Sequence, residues 1–253
     1  SNMRIVALMK NLFNITLSEG SITGLLAKAA KLSQVEIDKI SALLTKAPIV
    51  GIDETGCKVN GTKHWHWTFQ NEHNTLIVAD KSRGTNVIND TFKEGFKNAC
   101  VVHDNYSSYS SLECASEQLC LAHKMRDLNY AIECDDTKLM KDIKQLLKEA
   151  IKDHKEVLNT TQRVLLKAQY EKTLQHLLSM PYHEKSETHK QIKSLTKSKA
   201  KIFTFLLDPN IPADNNSSER AIRNIKVKQK VSGQFKSLDG AQNYANIRSI
   251  IDT

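Results

Sequence analysis

Two short apolar runs constrain this chain more than any other feature. PIVGIDET occupies residues 48–55 and CVVHDNYSSY residues 100–109. Apolar runs of this length bounded by polar residues read as buried strands, and each of these brings an aspartate, Asp53 or Asp104, to its C-terminal end. The spacing predicts strands over 49–53, 64–69, 75–80 and 99–104. Asn60-Gly61 and the 71–74 stretch between them carry turn chemistry. Upstream, Leu25, Leu26, Ala29 and Leu32, then Ile37, Ile40, Leu43 and Leu44, recur at helical spacing, so two or three helices are expected over 4–47, closed by Pro48. A helix over 86–97, a short strand over 118–122 and a helix from His123 complete an α/β expectation.

From residue 135 the character changes. Met140, Ile143, Leu147, Ala150, Val157, Val164 and Ala168 alternate near three- and four-residue steps, the seam of one long amphipathic helix interrupted at His154 and Thr161 and broken by Pro181. A lysine-rich helix is expected over 184–206, making 135–207 a helical hairpin inserted into the α/β domain. Its Lys185, Lys190, Lys193, Lys197, Lys199 and Lys201 suit either a solvated face or a DNA-lining one. The expected organisation is a helical segment over 4–47, an α/β core over 48–134, the insertion over 135–207 and the rest of the core over 208–253.

Composition narrows the partners. The 253 residues carry a net charge of +8, which favours polyanions. Five cysteines without a CxxC pair argue against both a disulfide framework and a four-cysteine zinc site. No apolar run reaches the roughly 20 residues that span a bilayer and no signal peptide is visible, so a cytosolic protein with no membrane partner is expected. Ser1-Asn2-Met3 has the look of a tag-removal scar, and Thr253 falls in what reads as an unfinished helix, as expected of a fragment.

The segment DNNSSERAIRNIKVKQKVSGQF, residues 214–235, places Glu219 near the start of a helix, followed by Arg220, Arg223, Lys226, Lys228 and Lys230. Glu219, Arg223, Lys226 and Lys230 share a helical face; the alternation of Lys226, Lys228 and Lys230 would equally suit a strand. One carboxylate beside many cations suits a metal ligand next to a polyanion, and Asp53 and Asp104 supply two more hard oxygen donors for magnesium. Each residue also has a structural role open to it. Asp53 and Asp104 can cap strand-end turns, and Glu219 can form a capping box with Asn216 as N-cap or pair with Arg223. Trp65 and Trp67 suit a β core better than base stacking. Zinc at Cys120 and His123 lacks a second pair of ligands.

Four blocks, GIDETGCKVNGTKHWHW (51–67), VVHDNYSSY (101–109), LCLAHKMRDL (119–128) and PADNNSSERAIRNIKVKQKVSGQFKSLDGAQNYANIRSIIDT (212–253), together with Arg83-Gly84, resemble the catalytic domain of insertion-sequence 66 family transposases. The resemblance runs from Pro48 onward. It implies an RNase H-like mixed sheet flanked by helices, a DDE-type enzyme whose triad is Asp53, Asp104 and Glu219, and two Mg²⁺ or Mn²⁺ ions with DNA bound. The partners implied are double-stranded DNA at element ends and target, met by a dimer on DNA in the bacterial cytoplasm. The long separation of Asp104 from Glu219 fits the helical insertion. His123, Arg126 and Asn216 join the cations of 220–230 as expected DNA or active-site contacts, His123 and Arg126 through a matching CxxH-x-x-R element. The resemblance also implies an N-terminal helix-turn-helix and zinc-binding region in relatives; no such region is read in these 253 residues, so non-specific binding by basic patches is the DNA contact expected of them. An RNase H-like nuclease that cuts without joining, and a non-catalytic DNA-binding or assembly module, are the alternatives.

Overall fold

The computed structural model describes residues 2–184 and 186–253, the side chain of Ser110 excepted; Lys185, among the lysines of the expected second helix, lies outside them. Five strands form a mixed sheet in the order β3-β2-β1-β4-β5: β1 (Ile49–Val59), β2 (Thr62–Gln70), β3 (Thr75–Asp80), β4 (Phe96–His103) and β5 (Cys114–Leu119). The chain forms two compact units. One comprises the chain up to Asn98, Ser111–Glu113 and Asn216–Thr253; the other comprises Ala99–Ser110 and Cys114–Asn215.

In the first unit, β1 and β2 form a hairpin closed at Val59↔Thr62, and β2 pairs antiparallel with β3. Asn60 and Gly61 turn the corner with φ of 46° and 77°, the left-handed pair that a two-residue hairpin requires. The sequence places Asp53 at a strand end, but β1 continues six residues further. The reason is Glu54, whose carboxylate is buried against Arg83 and so occupies a core-facing strand position that polarity alone excludes. At the second turn, Asn71 Oδ1 accepts the His73 and Asn74 amides, as the turn chemistry predicts.

Three helices precede the sheet, α1 (Asn2–Phe13), α2 (Glu19–Leu32) and α3 (Gln34–Thr45), so the first begins inside the stretch read as a scar. The helix expected over 86–97 is short. α4 (Asn86–Thr91) stops where Phe92 and Phe96 turn inward to pack with Phe69, and Gly95, at φ 64°, takes a conformation a helix cannot continue through.

On the opposite sheet face lie α9 (Asn216–Ser232) and α10 (Leu238–Asp252). Ile77 of β3 packs with Ile225 of α9 and Ala245 of α10, while Cys57 and Val59 pack with Phe235 and Ala241. β3 is an edge strand, and side chains receive its outward amides. Thr75 N–H donates to Thr253 Oγ1 at 3.0 Å, Ile77 N–H to Ser249 Oγ at 2.8 Å and Ala79 N–H to Gln242 Oε1 at 2.9 Å. An edge satisfied in this way offers no row of free donors for aggregation.

In the second unit, β5 covers 114–119 rather than 118–122, and α5 (Leu121–Asp135) starts two residues before His123. The long amphipathic helix is two helices, α6 (Lys138–Asp153) and α7 (Thr160–Leu178). The break is specified by a capping box: Asn159 Oδ1 accepts the Gln162 amide and Gln162 Oε1 the Asn159 amide, both at 2.9 Å. Buried Arg163 fixes the turn by donating to the Glu156 and Leu206 carbonyls. The lysine-rich helix is also shorter than expected. α8 (Glu187–Ser198) gives way to 3₁₀ turns at Lys199–Lys201 and Thr204–Leu207. That segment docks onto β5 through buried Gln118, which donates to the Ile202 carbonyl at 3.0 Å and accepts the Phe205 amide at 2.8 Å. The expected two-helix hairpin is therefore three helices and a 3₁₀ segment.

Two stability predictions follow from the first unit. Ser249→Ala strands the buried Ile77 amide, and the urea midpoint should fall by the equivalent of about 1–3 kcal/mol; an unchanged midpoint contradicts the edge-capping account. His66 is fully buried on β2 against the Phe235 ring, and burial drives its pKa down to about 4. With the folded value below the unfolded one, its contribution is intact above the ordinary histidine range and lost as pH falls through about 4. Over that window the loss should approach roughly 3 kcal/mol, and His66→Gln should flatten the pH profile.

Candidate active site

In the first unit, Asp53 lies directly across from Thr68, and Thr68 across from Ile77. Residues in such a row share a sheet face. Since Ile77 packs on Ile225, Asp53 is on the face that α9 covers. The Asp53 carboxylate accepts the Glu54 amide at 2.9 Å, and the side chain is half-buried. On α9, Ser218, Ala221, Ile222 and Ile225 make the buried stripe and Glu219, the fourth helical residue, flanks it. Asn216 is the first helical residue rather than the cap. The helix runs on to Ser232, which removes the strand alternative for 226–230.

The cations of α9 divide by environment. Arg220, Arg223, Lys226 and Lys230 are exposed. Lys228 is turned inward: its Nζ donates to Ser232 Oγ at 2.7 Å and sits 5.7 Å from the Phe235 ring centre, and burial pushes its pKa down.

On the other face of β1, the Glu54 side chain is 1% exposed and meets Arg83 Nη2 at 2.7 Å. The Arg83 guanidinium lies 4.5 Å over the Trp65 ring, which explains the pairing of this arginine with the GIDET block. Trp67 is fully buried, as the strand reading expects.

The second unit holds a cavity of about 250 Å³ beside the end of β4. Asp104 lines it, one residue past the strand, with Oδ1 accepting the Tyr106 amide at 2.9 Å. Cys120, His123, Lys124 and Asp127 line it from the start of α5. The Cys120 sulfur accepts the Asn215 amide at 3.2 Å, so this thiol already has a structural partner. Behind Asp104, buried His103 hydrogen-bonds Glu117 at 2.9 Å, and Lys201 reaches the same carboxylate at 2.7 Å. Burial raises the Glu117 pKa, but the hydrogen bonds from His103 and Lys201 outweigh it and hold the group below its ordinary range.

The second unit thus has a polar cavity with a half-exposed, backbone-held carboxylate, and the first has a carboxylate on the sheet face beneath a helix that carries another. The profile of the family described as Transposase IS66 family matches residues 2–243. The chain belongs to that family. No curated protein matches it.

The IS66 match begins upstream of the four sequence blocks, so α1–α3 lie within the family region. Of the residues expected at the site of this IS66 transposase chain, Asp104 and His123 line one cavity, while Asp53 lies on the α9 side of the sheet. Arg126 is exposed on α5, its Nε donating to the Ala122 carbonyl at 3.4 Å. Of the lysine-rich run, Lys190 pairs with Glu187, Lys199 with Gln175 and Lys201 with Glu117. Sequence reasoning passed over Lys124 and Asp127. Their signal was present, because residues 120, 123, 124 and 127 share one helical face once α5 starts at Leu121.

Arg83→Met leaves the Glu54 carboxylate buried without its guanidinium, and should cost about 3 kcal/mol of stability by denaturant titration. Adding Glu54→Gln should recover much of that loss. Equal stability of the single and double variants contradicts a direct pair.

Proposed function

We propose that this chain is the catalytic region of a DDE-type transposase with an RNase H-like fold, in which Asp53, Asp104 and Glu219 hold divalent metal. It cleaves DNA phosphodiester bonds and joins the resulting 3′ ends to target DNA in the bacterial cytoplasm, as a dimer on DNA. The observation that carries the proposal is family membership over residues 2–243, joined to a mixed sheet in which Asp104 follows β4 into an open polar cavity. Over the described residues, no helix is long and apolar enough to cross a membrane.

The donor set fits the metal. Three carboxylates offer hard oxygens of the kind magnesium selects, at positions that are neither sealed in the core nor fully exposed. When bound, a pair of such ions activates the attacking hydroxyl and stabilises the leaving oxygen of a phosphoryl transfer. The chain itself presents the ligands. The Tyr106 amide sets the Asp104 carboxylate, and the Glu54 amide sets that of Asp53. Arg220, Arg223, Lys226 and Lys230 offer charge to the DNA backbone, each neutralised phosphate adding a salt-dependent term to binding. The domain division proposed is a helical segment over 4–47, core over 48–134 and 208–253, and a helical insertion over 135–207.

The test is a cleavage and strand-transfer assay using a full-length family protein carrying these residues, with its element ends. Asp104→Asn and Glu219→Gln should each lower product formation by at least about a hundredfold while duplex binding persists. Wild-type activity in either variant contradicts the triad. Cut but never joined products would move the assignment to a nuclease.

A further inference from the structure

The cavity beside Asp104 contains a cation that the proposed triad does not use. The Lys124 side chain is only 5% exposed, and the residue lines the cavity. A buried ammonium is unfavourable unless its donors are met by acceptors or an opposing charge. Lys124 Nζ donates to Ser194 Oγ of α8 at 3.0 Å. Its nearest carboxylate, Asp127, stands at 3.6 Å, beyond a good hydrogen bond, and that side chain is 47% exposed. A half-solvated partner at that range offsets little of the desolvation. An ammonium carries three donors, so the protein leaves this one with capacity for another acceptor.

The position of Ser194 gives the arrangement a purpose. The same hydroxyl lies 3.5 Å from Asn105 Nδ2, on the residue next to Asp104. Helix α8 thereby places one hydroxyl on the Lys124 head group and beside the Asp104 loop. Among the described residues, Asp127 is the one carboxylate within 4 Å of this ammonium, which leaves room for an anionic acceptor.

We propose that Lys124 is a phosphate-contacting residue, its ammonium held by Ser194 at the wall of the Asp104 cavity to receive an oxygen of a DNA phosphodiester. The inference rests on the metal-dependent, DNA-processing reading of that cavity. It gives α8 a working part in the site, which neither the lysine-rich surface nor the family resemblance assigns.

The experiment measures binding of a random-sequence 20-base-pair duplex by fluorescence anisotropy across a NaCl series, with Mn²⁺ calorimetry on the same samples. The proteins are wild type, Lys124→Met and Ser194→Ala. Lys124→Met should reduce the log–log salt slope by about 0.9, the loss of one phosphate contact. Ser194→Ala keeps the charge but frees it, and should weaken binding about threefold to tenfold with the slope unchanged. Mn²⁺ uptake should persist in both. Wild-type slope and affinity in Lys124→Met overturn the assignment. If that variant does not fold, unchanged affinity in Ser194→Ala overturns it instead. A wild type that takes up neither Mn²⁺ nor duplex overturns the underlying reading as well, whereas normal Mn²⁺ uptake with unaltered duplex binding in the variants overturns the Lys124 assignment alone.

Discussion

An open sheet must satisfy the amides along its outer strand, and here that requirement organises everything around Asp53. The outward N–H groups of β3 go to Gln242, Ser249 and Thr253, which fixes α10 against the sheet. The turn preceding α10 is fixed in the same manner, because Phe235 exchanges backbone hydrogen bonds with Lys58 and Asn60 at the tip of the β1–β2 hairpin. With both ends of that turn tied to the sheet, α9 has little freedom, and Ile222 and Ile225 bury its inner face. Glu219 is thus presented on the same side of the sheet as Asp53 by hydrogen bonds far from either carboxylate.

The second unit solves a similar problem for Asp104. Gln118 joins β5 to the 202–205 segment through both ends of its amide, so no polar group of that side chain is left stranded in the core. The His103–Glu117–Lys201 cluster anchors the last residue of β4, and the following turn is closed by the Tyr106 amide on Asp104. A carboxylate positioned by backbone groups is held with less loss of side-chain entropy than one held by long side chains.

Much of the architecture was legible from local chemistry. Asn60-Gly61 demanded a tight hairpin, and the 49–53 and 99–104 apolar runs are strands because their residues bury against packed layers. What sequence reasoning missed were interactions between distant residues. Glu54 reads as a strand terminator until Arg83, from beyond β3, is known to meet it. The break between α6 and α7 was written locally, as Asn159 and Gln162 at capping-box spacing, but the apolar seam masked it. Lys124 and Asp127 already fell in the helix expected from His123, but nothing local marked them as lining a cavity, which is made with the Asp104 loop of distant sequence. The family resemblance is what names Asp53, Asp104 and Glu219 as a set, since no periodicity in the chain links them.

The central claim is that these carboxylates hold divalent metal. Its most direct test is Mn²⁺ calorimetry near neutral pH on wild type and Asp53→Asn, without and then with a short DNA duplex. The account predicts wild-type binding, at the latest once duplex is present, and its loss in Asp53→Asn. Mn²⁺ uptake of equal affinity and stoichiometry in the two proteins, or none in wild type even with duplex, contradicts it.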